Sequence, residues 1–176
     1  MSTTSLTYQD YLAFPSDCWR HEVLAGEHVV SPRPDLRHQR TALRLLLQLE
    51  PQVTERGLGL VLPDVTVQLG RHQVVEPDIT VLLPEHLDRA AKTRVIGAPD
   101  LVVEILSPNN RSHDCEQKRG IYAAHGVAEY WIVDPDQRTV AQLLLRGDSY
   151  VHAATATTAI ISAVLPGVTI DLQKVW

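Results

Sequence analysis

The run Leu101-Val102-Val103-Glu104-Ile105-Leu106 sets one acid in an otherwise unbroken apolar stretch. Apolar residues at odd and even positions alike leave a strand no solvent face, so this one must be covered on both sides. An unpaired carboxylate in such a place is costly, since even a neutral polar group buried without a partner costs about 2–7 kcal/mol. Something in the fold has to hold the charge of Glu104.

The segments that follow supply one cover. A helix is expected over residues 112–125, with Asp114 and Gln117 as capping partners and Gly126 closing it, and Glu129-Tyr130-Trp131-Ile132-Val133 reads as the next strand. Strand, helix and strand in that order form a right-handed crossover, so the two strands should lie parallel and adjacent. Tyr130 and Trp131 then belong to the core and its edge.

Upstream, Thr7 can cap a short helix ended by Pro15, and residues 20–24 and 28–30 form a hairpin around Ala25-Gly26-Glu27. Asp35 opens the longest helix, carrying Leu36, Ala42, Leu43, Leu46, Leu47 and Leu49 at helical spacing, and Pro51 should stop it. Residues 58–62, 65–69 and 79–83 read as closely spaced antiparallel strands, and a short helix is expected near 85–91. Downstream, a hairpin turns at Gly147-Asp148, residues 153–159 read as loop or weak strand, and Pro166-Gly167 turns the last segment. The fold class is α/β, of mixed α+β type: a central mixed sheet flanked by helices. One domain spanning 1–176 is expected, with the helix and hairpin of about 7–30 packed on it.

No apolar run is long enough to span a bilayer, and the first residues lack the basic and apolar regions of a signal peptide, so a cytoplasmic location is expected. Cys18 and Cys115 show no metal-ligand spacing and read as free thiols. The formal charge of −5 argues against a protein that grips nucleic acid by bulk attraction. It is compatible with an acidic site neutralised by a cation, and the arginines at 33, 37, 40, 44, 111 and 119 either line such a site or cover solvated helix faces.

Asp78, at the head of one strand, and Glu104, inside another, can project toward a common point if the strands are neighbours. Two carboxylates suit magnesium, which takes oxygen ligands and keeps waters and substrate oxygens; the Ile105 carbonyl is a further candidate ligand. Lys118, one helical turn after Asp114, either enters that site or pairs with Asp114 at the surface, where the pair is worth a few tenths of a kcal/mol. Asp78 alone is equally a turn residue, and Ser107 either binds a phosphate or caps the turn.

These residues also carry a resemblance. Glu76-Pro77-Asp78, Ala98-Pro99-Asp100 leading into residues 101–108, the Asp114 and Lys118 pair, Tyr122 and residues 126–135 resemble the bacterial Uma-two family of restriction-endonuclease-type proteins, within the PD-(D/E)XK nuclease superfamily. The likeness extends to residues 20–27 with His38 and to residues 161–168, so it covers nearly the whole chain. It implies a restriction-endonuclease-like fold, Asp78 and Glu104 as ligands of Mg²⁺ or Mn²⁺, and Glu22 as the N-terminal acid completing the site. It also implies His38 facing the same cleft, beside Arg37 and Arg40. The superfamily lysine usually stands two residues after the second acid; here that place is Leu106, and Lys118 is the candidate replacement.

The expected activity is a metal-dependent endonuclease acting on DNA, as a homodimer by analogy with nucleases that cut both strands. Two other readings stay open: a non-catalytic nucleic-acid or protein-binding module that keeps the fold, and a Glu104 that is a buried acid satisfied by Arg or Lys.

Overall fold

The protein is described by a computed structural model over residues 5–107 and 113–176, the side chains at 113–116 excepted. The expectations for Arg111, Asp114 and Cys115, and for the strand-ending residues after Ser107, lie outside that description.

In chain order the elements are α1 (Tyr8–Tyr11), β1 (Trp19–Leu24), β2 (Glu27–Pro32), α2 (Leu36–Val53), β3 (Leu60–Pro63), β4 (Val67–Gly70), β5 (Gln73–Val75) and β6 (Ile79–Leu82). A 3-10 helix (Pro84–Arg89) leads to β7 (Val95–Ile96), β8 (Leu101–Ile105), α3 (His113–His125), β9 (Glu129–Asp134), β10 (Thr139–Arg146), β11 (Ser149–Ala156), β12 (Ala159–Ile161) and β13 (Thr169–Asp171). Six strands form a mixed sheet in the order β11-β10-β9-β8-β6-β3, with β8 and β9 parallel and the other pairs antiparallel. The crossover through α3 thus gives the parallel neighbours expected of it.

Two cores cover the sheet. On one face Leu45, Leu49 and Val53 of α2 and the C-terminal segment pack on Val103, Ile105, Trp131 and Val133. On the other, Ile121 and Tyr122 of α3 and residues of a second sheet, ordered β2-β1-β5-β4-β7, pack on Val102 and Tyr130. Strand β8 is buried throughout, which is why its sequence shows no alternation.

Three expectations need correcting. Pro51 lies inside α2: it is exposed and near the C-terminal end, so the donor it lacks is missing on the solvent side. The buried face of α2 is His38, Thr41, Leu45, Leu49 and Val53, whereas Leu36, Leu43 and Leu47 are exposed. Strand β4 does not join β3 and β6; it pairs with β5, a three-residue strand too short to give a sequence signal. The short helix expected near 85–91 is present as the 3-10 helix Pro84–Arg89.

Elsewhere local chemistry acts as written. The Asp10 carboxylate accepts from both the backbone N–H and the hydroxyl of Thr7, closing α1. Ala25 (φ 52) and Gly26 (φ 79) make the two-residue turn between β1 and β2, and Asp35 caps α2 through the His38 N–H. Among the described residues no helix is long and apolar enough to cross a membrane.

Candidate active site

The β6–β8 register pairs Ile79 with Val103 and Thr80 with Val102; carried back one step, it sets Asp78 across from Glu104 on the same face. Asp78 is fixed from three sides. Its Oδ2 accepts from the Ile105 N–H (2.7 Å) and lies 3.0 Å from His38 Nε2, and its Oδ1 accepts from both terminal nitrogens of Arg20 (3.1 Å each). Arg20 also reaches Asp64 (3.0 Å) and Glu76 (3.8 Å), so one partly buried guanidinium gathers three acids.

Glu104 is held from α3. Its Oε1 accepts from Tyr122 Oη (2.6 Å) and Lys118 Nζ (3.1 Å), residues four apart and hence on one helix face. The same ammonium lies 2.9 Å from Glu22 Oε1, which also accepts from the Glu76 N–H (2.7 Å). Glu22, His38, Asp78, Glu104 and Lys118 are all buried. They border a cleft of about 40 Å³, room for an ion with a water or two.

The two carboxyls are driven apart. Burial raises the Glu104 carboxyl to about 7; Lys118 opposes the rise, and the charges of Asp78 and Glu22 add to it. Burial also pushes Asp78 up, but the His38 hydrogen bond and the Arg20 charge outweigh it and leave Asp78 below its usual range. Burial and the neighbouring charge of Glu104 raise Tyr122, which stays a neutral donor. Among the described residues, five carboxyl groups (Glu22, Asp64, Glu76, Asp78, Glu104) thus gather around the basic side chains of Arg20 and Lys118.

That donor set fits a hard divalent cation: the oxygens are carboxylate, and negative charge is in excess. Among the described residues no three His, Cys, Asp or Glu side chains are arranged to hold a metal by themselves. Magnesium typically takes one or two carboxylates, with waters and substrate oxygens completing its octahedron, so a two-acid site suffices for it.

The family described as "Putative restriction endonuclease", Uma2, matches residues 8–173. The chain belongs to the Uma2 family. A solved structure described as "a putative nuclease belonging to DUF820 from Anabaena variabilis ATCC 29413" superposes with a TM-score of 0.78, covering 97% of each chain at 18% identity. At that identity the likeness speaks for the fold, which is the restriction-endonuclease-like one expected from the sequence. No curated protein matches.

In this Uma2 chain the cleft brings together Glu22, His38, Asp78, Glu104, Ile105, Ser107 and Lys118, and Leu106 lines it at the place where the resemblance leads to a lysine being expected. For Ile105 the observed contact is its N–H on Asp78. Arg37 is excluded: one residue from His38 turns its side chain about 100° around α2, and it bonds instead to the Asp136 carboxylate and the Pro135 carbonyl. The arginine strip is absent from the cleft as well, among the described residues. Arg33 donates to the Asp17 carbonyl, Arg119 to the Tyr150 carbonyl, and Arg40 and Arg44 border another cavity with Arg37.

Two residues of the site, Arg20 and Tyr122, carry the resemblance in sequence but are given no role by it. Arg20 is two residues before Glu22 in β1, so alternation alone puts both on one face of that strand. Tyr122 is one turn after Lys118, and that spacing was legible too.

Proposed function

We propose that this Uma2 chain is a cytoplasmic endonuclease that hydrolyses DNA phosphodiester bonds with Mg²⁺, for which Mn²⁺ substitutes, held by Asp78 and Glu104. The observation that carries the reading is their meeting on one sheet face, with Lys118 between Glu104 and Glu22. Glu22 and the Ile105 carbonyl are the further candidate ligands. When bound, the cation lowers the pKa of a water and stabilises charge on the phosphate in transit.

The chain's own groups do the rest. Arg20 and His38 keep Asp78 ionised and aimed, while Tyr122 fixes the orientation of Glu104. The Lys118 ammonium orients the attacking water or offsets charge developing on the phosphate, a task that depends on where Nζ sits and not on which element carries it. Water adds to phosphorus as the bond to the 3′ oxygen breaks, leaving a 5′-phosphate and a 3′-hydroxyl. Ser107 at the cleft edge is a hydrogen-bond partner for the substrate phosphate. Cutting both strands calls for two such sites, so the working form is proposed to be a homodimer, to be checked by light scattering at assay concentration.

Plasmid incubated with pure protein and Mg²⁺ or Mn²⁺ should be cut, and Asp78→Ala and Glu104→Ala should abolish cutting; activity that survives both changes puts the chemistry elsewhere. One observation favours the non-catalytic alternative: Arg20 and Lys118 already pair with Asp78 and Glu104. Calorimetric titration with Mn²⁺ separates the two, since binding that Glu104→Gln removes supports the enzyme and no binding supports the module.

A further inference from the structure

Arg37, Arg40 and Arg44 follow one another at spacings of three and four, which aligns them along one stripe of α2. Arg138 joins them from the β9–β10 turn, and with Pro135 and Trp176 they border a cavity of about 110 Å³. Four arginines around one cavity are a marked concentration in a chain of net charge −5, and like charges so placed repel. Their neutralisation is partial. Arg37 is taken up by Asp136 and Pro135, and Arg44 by the carbonyls of Val175 and Trp176. The side chains of Arg40 and Arg138 are exposed and, among the described residues, make no ion pair or hydrogen bond.

The turn is built to present Arg138. Asp134 Oδ1 accepts from the N–H groups of Asp136 and Gln137, and Arg138 itself adopts φ 54, which side-chain-bearing residues rarely do. The indole N–H of Trp176, on the same cavity, is buried without an acceptor.

This cavity shares no lining residue with the cleft, but the same chain segments border both. His38 of the cleft precedes Arg40 by two residues, and Leu106 of the cleft donates to the carbonyl of Val133, two residues before Pro135. Arg44 lies about 9 Å along α2 from His38, the axial rise of roughly three nucleotides of one strand.

We propose that Arg40 and Arg138, with Arg44 beside them, bind a backbone phosphate of the nucleic-acid strand about one to three nucleotides from the bond offered to Asp78 and Glu104. A guanidinium suits this task because its fork meets two phosphate oxygens at once. Such contacts position a strand without reading its bases. The proposal rests on the endonuclease reading for its register but not for the binding itself.

The test is fluorescence anisotropy of a labelled DNA of about 12 nucleotides, single-stranded and duplex, in chelator between about 50 and 200 mM salt. The Arg40→Ala/Arg138→Ala double variant should bind more weakly, and its slope of log K against log salt should fall by about 0.7–0.9, the loss of one phosphate contact. Its melting temperature should match wild type because both side chains are exposed. Arg71→Ala/Arg146→Ala, which removes two exposed arginines away from this cavity, should keep the wild-type slope. An unchanged slope in the first variant, or an equal loss in both, overturns the proposal. Plasmid cutting is scored separately: arginine-dependent binding without cutting removes the endonuclease reading and leaves the phosphate site, and cutting with an arginine-independent slope does the reverse.

Discussion

Two glutamates are buried on the neighbouring parallel strands β8 and β9, on opposite faces of the sheet, and they are held in opposite ways. Glu129 accepts from Trp131 Nε1, Gln142 Nε2, Ser162 Oγ and the N–H groups of Ala163 and Val164, five uncharged donors at 2.6–3.0 Å. Glu104 has the Lys118 ammonium and the Tyr122 hydroxyl, a second carboxylate opposite, and a cleft beside it. Glu129 is a fastener, locking residues 162–164 against the end of β9. Glu104 carries charge that its surroundings compensate only in part. Burial of an acid is therefore a poor sign of function by itself; the nature of its partners separates the two.

The contrast breaks first under Glu129→Ala. Five donors lose their acceptor together; each orphaned group costs about 1–3 kcal/mol, and with water rescuing part of that total a loss of at least about 3 kcal/mol is expected. Thermal melting should show a drop near 10 °C for a chain this size. A small drop would mean that water replaces the carboxylate and that Glu129 is no fastener.

Next comes Glu104→Gln, where the expectation reverses: folding is retained and plasmid cutting falls by about 10²–10³, of order 3–4 kcal/mol in the barrier. Equal losses of stability at positions 104 and 129 would erase the distinction.

The third effect is a pH dependence. The Glu104 carboxyl is raised from 4.5 to about 7, chiefly by burial, so the folded chain binds the extra proton between those values. Stability of chelated protein should then fall as pH rises through that window. Asp78 has the opposite sign, its lowered value adding stability that is lost on acidification below about 3.8. Melting curves of wild type against Glu104→Gln between pH 4 and 8 isolate the first component; parallel curves would show that Glu104 titrates normally. The smallest effect is Trp131→Phe, which removes one of five donors to Glu129 and should cost about 1 kcal/mol while leaving cutting intact.

Much of this was readable because it is local. The apolar run of β8, the glycine closing α3 and the crossover to β9 lie within one stretch of chain, and the same stretch names Glu104 and Lys118. The α2 face is not legible from its leucines, because helical phase puts His38 and Thr41 inward and Leu36, Leu43 and Leu47 out. The second sheet was missed because β5 has three residues and β7 two. Arg20 and the Gln142, Ser162, Ala163 and Val164 donors of Glu129 were missed for another reason: they are recruited across the chain, and alternation tells which way a side chain points but not what it will meet.

The central claim is that Asp78 and Glu104 share one cation, and a crystal soaked in Mn²⁺ tests it most directly. The account predicts anomalous density about 2–2.5 Å from an oxygen of each carboxylate, with Lys118 remaining alongside. Arg20 and Lys118 still closed on both acids, with no such density between them, would contradict it.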